Sequence, residues 1–395
     1  MKKYTKFDGK KILIWGYGRE GKSTEEFLKR CCSPKQVDVF EGKREDFNEQ
    51  EYDFVIKSPG IVMEEDDPRF TSQTEIFLET FRDNVIGVTG TKGKSTTSSL
   101  LYHCLNECME QRVILLGNIG EPCLNYFDEI EDDTIVVFEM SCHQLAHVKV
   151  SPRVAVFLNI YEEHLDYYKT FERYYAAKCN VTRYQQKGDL FYKGDQVPKI
   201  ETNAETRIIY RDQVPDYDLK ILGDHNNYNA CFAYRIATEV YGADGEKVRR
   251  SLKGFTGLDH RLKLIGTVNG VDYYDDSIST IPNATIAALN AVGNAYSVII
   301  GGMDRGIDYD TLISFIREHD EYYYIFSYAS GRRIYEAVGS RENHIYADDL
   351  KAAVDAAKKV TPKGRACILS PASASYGYFK NFEERGDAFK ELVGV

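Results

Sequence analysis

The run Gly87-Val88-Thr89-Gly90-Thr91-Lys92-Gly93-Lys94-Ser95-Thr96-Thr97 places glycines, lysines and hydroxyls in the order that cradles a triphosphate. Glycines let backbone N–H groups close on phosphate oxygens, and a helix N-terminus adds the positive end of its dipole. Lys94 can reach the β- and γ-phosphates, and the Ser95 hydroxyl can ligate Mg²⁺. Val88 stands where the usual P-loop pattern has its first glycine. The same residues can also make a plain glycine turn that opens an ordinary helix.

Other polar residues stand at predicted strand ends. Glu139 closes Val136-Val137-Phe138-Glu139, where a carboxylate can hold Mg²⁺ directly or through water, or simply be solvated. Asn159-Ile160-Tyr161-Glu162-Glu163-His164-Leu165-Asp166 gathers an amide, carboxylates and an imidazole after another strand, as a metal or phosphate site or as a polar loop. Lys178, on a predicted helix, would not be singled out by its residue type. Near the N-terminus, Gly16-Tyr17-Gly18-Arg19-Glu20-Gly21 follows an apolar strand, and a second strand ends at Glu41. Strand, G-x-G-x-x-G, helix, strand, acid fits a dinucleotide-type unit, and a structural glycine turn fits as well. Ser58-Pro59-Gly60-Ile61 makes a further strand-end turn.

The elements that position these residues alternate. Strands are predicted at Lys11–Trp15, Gln36–Phe40, Phe54–Lys57, Val113–Leu116, Thr134–Phe138, Val154–Leu158, Val271–Tyr274 and Ser297–Ile300. Helical stretches lie between them, including Ser98–Cys108 and Ala284–Val292, and Lys187–Leu222 reads as β-structure or an insertion. The alternation implies an α/β fold with mainly parallel sheets in three domains, 1–83, 84–256 and 257–395. A hydrophobic content of 43% and a charged content of 28% are those of a soluble globular protein. The net charge of −11 argues against general nucleic-acid binding. No apolar run reaches the length of a membrane span, and no apolar segment backs the N-terminal lysines as in a secretory signal. The nine cysteines include no Cys-x-x-Cys pair, so reduced, mostly buried thiols in a cytoplasmic protein are expected.

Taken together and in order, these segments resemble the Mur ligases, and within them the D-glutamate-adding branch. The resemblance rests on Gly87–Thr97, Gly117-Asn118-Ile119-Gly120, Glu139–Leu145, Asn159–Asp166, Tyr175-Ala176-Ala177-Lys178 and Gly223–Ala230. Gly257–Arg261, Asp276-Ser277, Gly301–Arg305 and Leu369–Arg385 continue it to the end. It implies a Rossmann-like UDP-binding domain, a central P-loop ATPase-type domain and a Rossmann-like C-terminal domain. It also implies a cytoplasmic, monomeric enzyme that uses ATP and two Mg²⁺ ions to join glutamate to UDP-N-acetylmuramoyl-L-alanine through an acyl phosphate. Lys94, His164 and carbamylated Lys178 would be catalytic. Gly90, Thr91, Lys92, Gly93, Lys94, Ser95, Thr96, Asn226, Asn229, Arg261 and Asp276 would bind ATP. Ser95, Glu139, His164 and Lys178 would hold the metal ions. Gly16, Tyr17, Gly18, Arg19, Glu41, Gly42, Ser58, Pro59, Gly60, Asn118, Ser141 and Gln144 would bind the UDP substrate. Thr280, Arg305, Ser375, Tyr376 and Phe382 would bind glutamate.

The chain departs from the family pattern at three places. Ile278 replaces a lysine that helps bind glutamate, Arg305 replaces a second such lysine, and Lys263 replaces a glutamate near ATP. An L-glutamate-adding relative is therefore an alternative. A folylpolyglutamate synthase-like enzyme and a non-catalytic nucleotide-binding regulator are others; the Gly16–Gly21 unit speaks against the first and the complete catalytic set against the second.

Overall fold

The computed structural model describes residues 2–63 and 67–395, apart from the side chains of Asp166 and Asp224. Two compact units form: one runs to Asp218 and includes His225–Lys253, the other comprises Leu219–Asp224 and Gly254–Val395.

The first unit holds two parallel sheets. One contains β1 (Lys11–Trp15), β2 (Gln36–Phe40), β3 (Phe54–Lys57) and β4 (Phe70–Thr71), in the order β2-β1-β3-β4. The other contains β5 (Val85–Thr89), β6 (Val113–Gly117), β7 (Ile135–Glu139), β8 (Val154–Phe157), β9 (Leu190–Gly194) and β10 (Glu205–Ile209). Its order is β10-β9-β8-β5-β7-β6, again all parallel. β5, β7 and β8 are buried along their whole length, which is why they read as continuous apolar runs. One hydrophobic cluster joins the two sheets, with Ile12 and Ile14 from the first and Phe27 from helix Arg19–Cys31 in the same cluster as Val136, Phe138 and Phe157 from the second.

The second unit has one sheet of six strands: β11 (Lys263–Val268), β12 (Val271–Asp275), β13 (Ala295–Ile300), β14 (Tyr323–Ser327), β15 (His344–Ala347) and β16 (Ala366–Leu369). The order is β11-β12-β16-β13-β14-β15, with apolar clusters packed on the sheet. The sequence reading had no strand at β11. It runs antiparallel to β12 through a turn at Asn269 and Gly270, whose φ values of 54° and 83° suit an Asn-Gly hairpin. The remaining pairs are parallel. No helix among the described residues is long and apolar enough to cross a membrane.

The first glycine turn has little room. A Cβ on Gly21 would stand 2.2 Å from the Gly16 carbonyl oxygen, whereas one on Gly18 would meet nothing within 4 Å. Gly21→Ala is expected to cost about 1–3 kcal/mol in chemical denaturation. Gly18→Ala should stay within about 0.5 kcal/mol of the parent. Equal losses would show that close packing at Gly21 is not what fixes this turn.

Candidate functional site

β5 ends at Thr89, and the loop Gly90–Gly93 leads into helix Lys94–Cys108. The sequence reading began this helix at Ser98, but it starts four residues earlier, so Lys94 and Ser95 lie in its first turn. Asn159, beyond the end of β8, holds the loop through its side chain. Lys92 N donates to Asn159 Oδ1 and Asn159 Nδ2 donates to the Lys92 carbonyl, both at 2.9 Å. Gly93 has φ 84°, and a Cβ there would stand 2.7 Å from Asn229 Oδ1. Asn229 Nδ2 donates to Asn226 Oδ1 at 3.2 Å, so within helix Asp224–Glu239 Asn229 stands against the P-loop and Asn226 is bonded to Asn229.

Two lysines converge on one carbonyl. Lys94 Nζ donates to the Gly90 and Thr91 carbonyls at 3.0 and 2.9 Å. Lys178 Nζ, from helix Phe171–Arg183, donates to the same Gly90 carbonyl at 2.8 Å. Burial depresses both ammoniums, Lys178 to about 7, and for Lys178 the neighbouring Lys94 adds to the effect. Glu139, fully buried, accepts from Asn118 Nδ2 on Oε1 at 2.7 Å, and its Oε2 has no partner among the described residues. It lies opposite Val88 in the β5–β7 register, and its charge is felt by both lysines. His164 takes a left-handed conformation at φ 57° and is partly exposed. Its ring lies 5.0 Å from that of His143 and 6.0 Å from that of Tyr174.

The described residues include no ready-made group of three or more His, Cys, Asp or Glu for a metal. The expected set is of another kind, a hydroxyl, a carboxylate, an imidazole and a modified lysine. The unpartnered, buried Oε2 of Glu139 fits a hard cation, and the Ser95 hydroxyl offers a second hard oxygen.

A cavity of about 270 Å³ opens within the first unit, where Arg19, Pro59, Gly60, Asn118, Ser141 and Gln144 all line it. Gly16 and Ser58 do not line it but are joined to each other, with Ser58 Oγ donating to the Gly16 carbonyl at 3.0 Å. Tyr167, on the short helix Leu165–Tyr168 after β8, ties to the Ser58–Ile61 turn through Oη, which donates to the Ile61 carbonyl at 2.9 Å. Tyr17, Gly18, Glu41 and Gly42 do not line this cavity, and Glu41 and Gly42 are exposed beyond the end of β2. Ser141 and Gln144 also have structural work, since they form a reciprocal capping box at the start of helix Cys142–Leu145. Glu20 and His143 line the cavity too, and sequence reasoning had given neither a role. Each occupies a variable position of its motif, so nothing in the spacing picks it out. Burial raises the Glu20 carboxyl from its ordinary value.

In the second unit, bonds among the loops after β12, β13 and β16 gather the remaining candidates. Asp276 is buried, accepting from Leu262 N at 3.1 Å and Ser370 Oγ at 2.8 Å, and burial raises its carboxyl to about 6. Ser277 Oγ donates to the Phe382 carbonyl at 2.8 Å, and Met303 pairs with Ala374. Arg385, fully buried, donates to the Ser277 and Ser373 carbonyls at 2.7 and 3.1 Å. Thr280, Ser375 and Phe382 stand within a few residues of these tied positions. Arg261, Arg305 and Tyr376 are exposed. All nine cysteines are free thiols.

Residues 88–209 match the Mur ligase middle domain. The UDP-N-acetylmuramoylalanine–D-glutamate ligase of Acetivibrio thermocellus is 33% identical, over 87% of this chain and 82% of its own. The enzyme of the same name from Streptococcus agalactiae is 31% identical, over 98% of both chains. Among solved structures, a MurF ligase from Thermotoga maritima in complex with ADP shares the fold, with a TM-score of 0.61 over 99% of this chain and 97% of its own at 16% identity.

Burial of Lys178 has a stability signature. Its ammonium is depressed to about 7 when folded, from an ordinary value of 10.5. Between those values the unfolded chain binds more protons, so the contribution to stability rises with pH across that window and the penalty is complete below it. Lys178→Met removes the charge. In bicarbonate-free buffer its melting temperature should exceed the parent's by several degrees near pH 6, with the gap closing towards about pH 10. A gap independent of pH would mean that the buried charge is not responsible.

Proposed function

This chain belongs to the Mur ligase family, and from that premise we propose that it is an ATP-dependent ligase adding D-glutamate to UDP-N-acetylmuramoyl-L-alanine in cytoplasmic peptidoglycan precursor synthesis. The observation that carries this reading is the near full-length match to relatives of that name. The cluster of Lys94, Lys178 and Glu139 around the P-loop supports it. The division into 1–83 for UDP, 84–256 for ATP and 257–395 for the amino acid belongs to the same reading, as does a monomeric state.

The acceptor's terminal carboxylate attacks the γ-phosphorus of ATP, giving an acyl phosphate and ADP. The glutamate amine then attacks the acyl carbon, and the tetrahedral intermediate expels phosphate to leave an amide. The backbone of Gly90–Thr96 holds the phosphates, and Lys94 exchanges its carbonyl partners for phosphate oxygens and neutralises the charge that shifts during transfer. Asn226, Asn229, Arg261 and Asp276 bind the rest of the nucleotide. Ser95, Glu139, His164 and carbamylated Lys178 would hold two Mg²⁺ ions. These would supply Lewis-acid stabilisation of the phosphoryl oxygens. Depression to about 7 supports the carbamate, because the neutral amine is the form that adds CO₂. The cavity bounded by Arg19, Asn118, Ser141 and Gln144 receives the UDP-linked acceptor.

A second reading, addition of L-glutamate or another acidic residue to the same acceptor, is favoured by Ile278 in place of the family lysine. Amino-acid-dependent phosphate release with UDP-N-acetylmuramoyl-L-alanine separates the two. D-glutamate is expected to be the better substrate, and predominant use of the L form would assign the second reading. Failure of every amino acid tested to release phosphate would remove both. Lys94→Ala should lower kcat by about 100- to 1000-fold. Lys178→Ala should lose activity that bicarbonate does not restore, and an unchanged rate would remove the carbamate.

A further inference from the structure

The cavity of the first unit carries a carboxyl group that the mechanism above leaves unused. Glu20 lies in the first turn of helix Arg19–Cys31 and lines the cavity beside Arg19, Gly60, Asn118 and His143. Its Oε1 accepts from Gln144 Nε2 at 2.9 Å, linking the glycine turn of the first sheet to the turn after β7. Its backbone carbonyl is fixed by Thr24 Oγ1 at 2.8 Å and Gln73 Nε2 at 2.5 Å. Its Oε2 is buried and has no partner among the described residues. The nearby Lys57 ammonium donates to the Ser58 and Ile61 carbonyls at 3.3 and 2.8 Å.

A buried carboxyl oxygen without a donor is costly, and folds keep one where a ligand or an ordered water completes it. The oxygen belongs to a residue of the cavity wall, so the donor can come from the molecule that enters. A pyrophosphate brings negative charge and no donor, and Arg19 on the same wall suits it better. A UDP-linked acceptor also carries N–H and O–H groups, on the uracil, the ribose and the muramoyl-peptide.

We propose that Glu20 is a specificity-determining residue for the UDP-linked acceptor: Oε1 holds Gln144 in place, and Oε2 accepts a hydrogen bond from an N–H or O–H of the ligand. The inference rests on the acceptor assigned above. Calorimetry with UDP-N-acetylmuramoyl-L-alanine, UDP and ATP on the full chain and on Glu20→Gln and Glu20→Ala tests it, together with steady-state kinetics. The Glu20→Gln variant keeps an amide oxygen for Gln144 and turns the other acceptor into a donor, so it isolates the ligand contact.

Both variants should bind UDP-N-acetylmuramoyl-L-alanine roughly 10- to 100-fold more weakly. The change should appear in KM for that substrate, with kcat and ATP affinity near those of the parent. A loss seen with the full acceptor but not with UDP supports the proposal and puts the donor in the muramoyl-peptide half. Parent-like binding by Glu20→Gln beside weak binding by Glu20→Ala would reduce Glu20 to a support for Gln144 and overturn the ligand contact. Parent-like binding by both variants would overturn the proposal entirely. A parent chain that binds ATP but not UDP-N-acetylmuramoyl-L-alanine would instead remove the acceptor assignment, a separate failure.

Discussion

The nucleotide loop depends on one shared acceptor, the Gly90 carbonyl, which takes hydrogen bonds from both Lys94 and Lys178. Two ammoniums brought together out of water repel each other and lose solvation. A backbone carbonyl offers partial negative charge without a counter-ion, so it relieves only part of that cost. Burial depresses the proton affinity of both lysines, and for Lys178 the neighbouring Lys94 ammonium adds to it. Anionic phosphate is the natural remedy. A loop that collects cations this way suits an anion, and in the proposed reading Lys94 stands where charge must move.

Sheet order explains why the other partners arrive at the same place. β8, β5 and β7 are neighbours in a parallel sheet, so their C-terminal ends lie side by side. Asn159, the P-loop and Glu139 stand at those three ends in turn, which turns distant sequence positions into one site. The second unit repeats the logic with β12, β16 and β13, whose following loops carry Asp276, Ser370–Ser375 and Gly301–Arg305. In both cases the strands are buried enough to fix the ends, and the loops are left to supply chemistry.

Local signals were read well from sequence. The P-loop, the glycine turn of β1 and most strands carry their periodicity and punctuation in a few adjacent residues. The β11–β12 hairpin was also written locally, in Asn269-Gly270, but β11 is half exposed and lacks a clean apolar pattern. Side-chain pairings between distant segments were not legible. Glu20 meets Gln144 across 124 positions, and Lys178 meets Gly90 across 88. Family resemblance supplied Lys178 where spacing could not. It supplied nothing for Glu20, which lines the cavity of the first unit.

The replacement of a family lysine by Ile278 is a change the fold absorbs without strain. Its neighbours Ser277 and Ser279 are buried, and Ile278 N donates to the His260 carbonyl at 3.0 Å, so the backbone there is held whatever the side chain. Arg385 adds bonds to both oxygens of Ser277. What the substitution removes is charge. In the proposed reading, the amino-acid carboxylates must then rely on Arg305, an exposed guanidinium whose attraction is weakened by water and salt. In that reading, discrimination between acidic amino acids would fall to directional contacts, the hydroxyls of Thr280 and Ser375 and the N–H of Phe382. The bonded network of Ser277, Ser373 and Arg385 lies in the same loops and holds the Phe382 carbonyl through Ser277. In the proposed reading, acyl-phosphate chemistry and amino-acid choice are therefore separable: the first would rest on the buried charges of the central sheet, the second on a polar frame from which one charge has been taken.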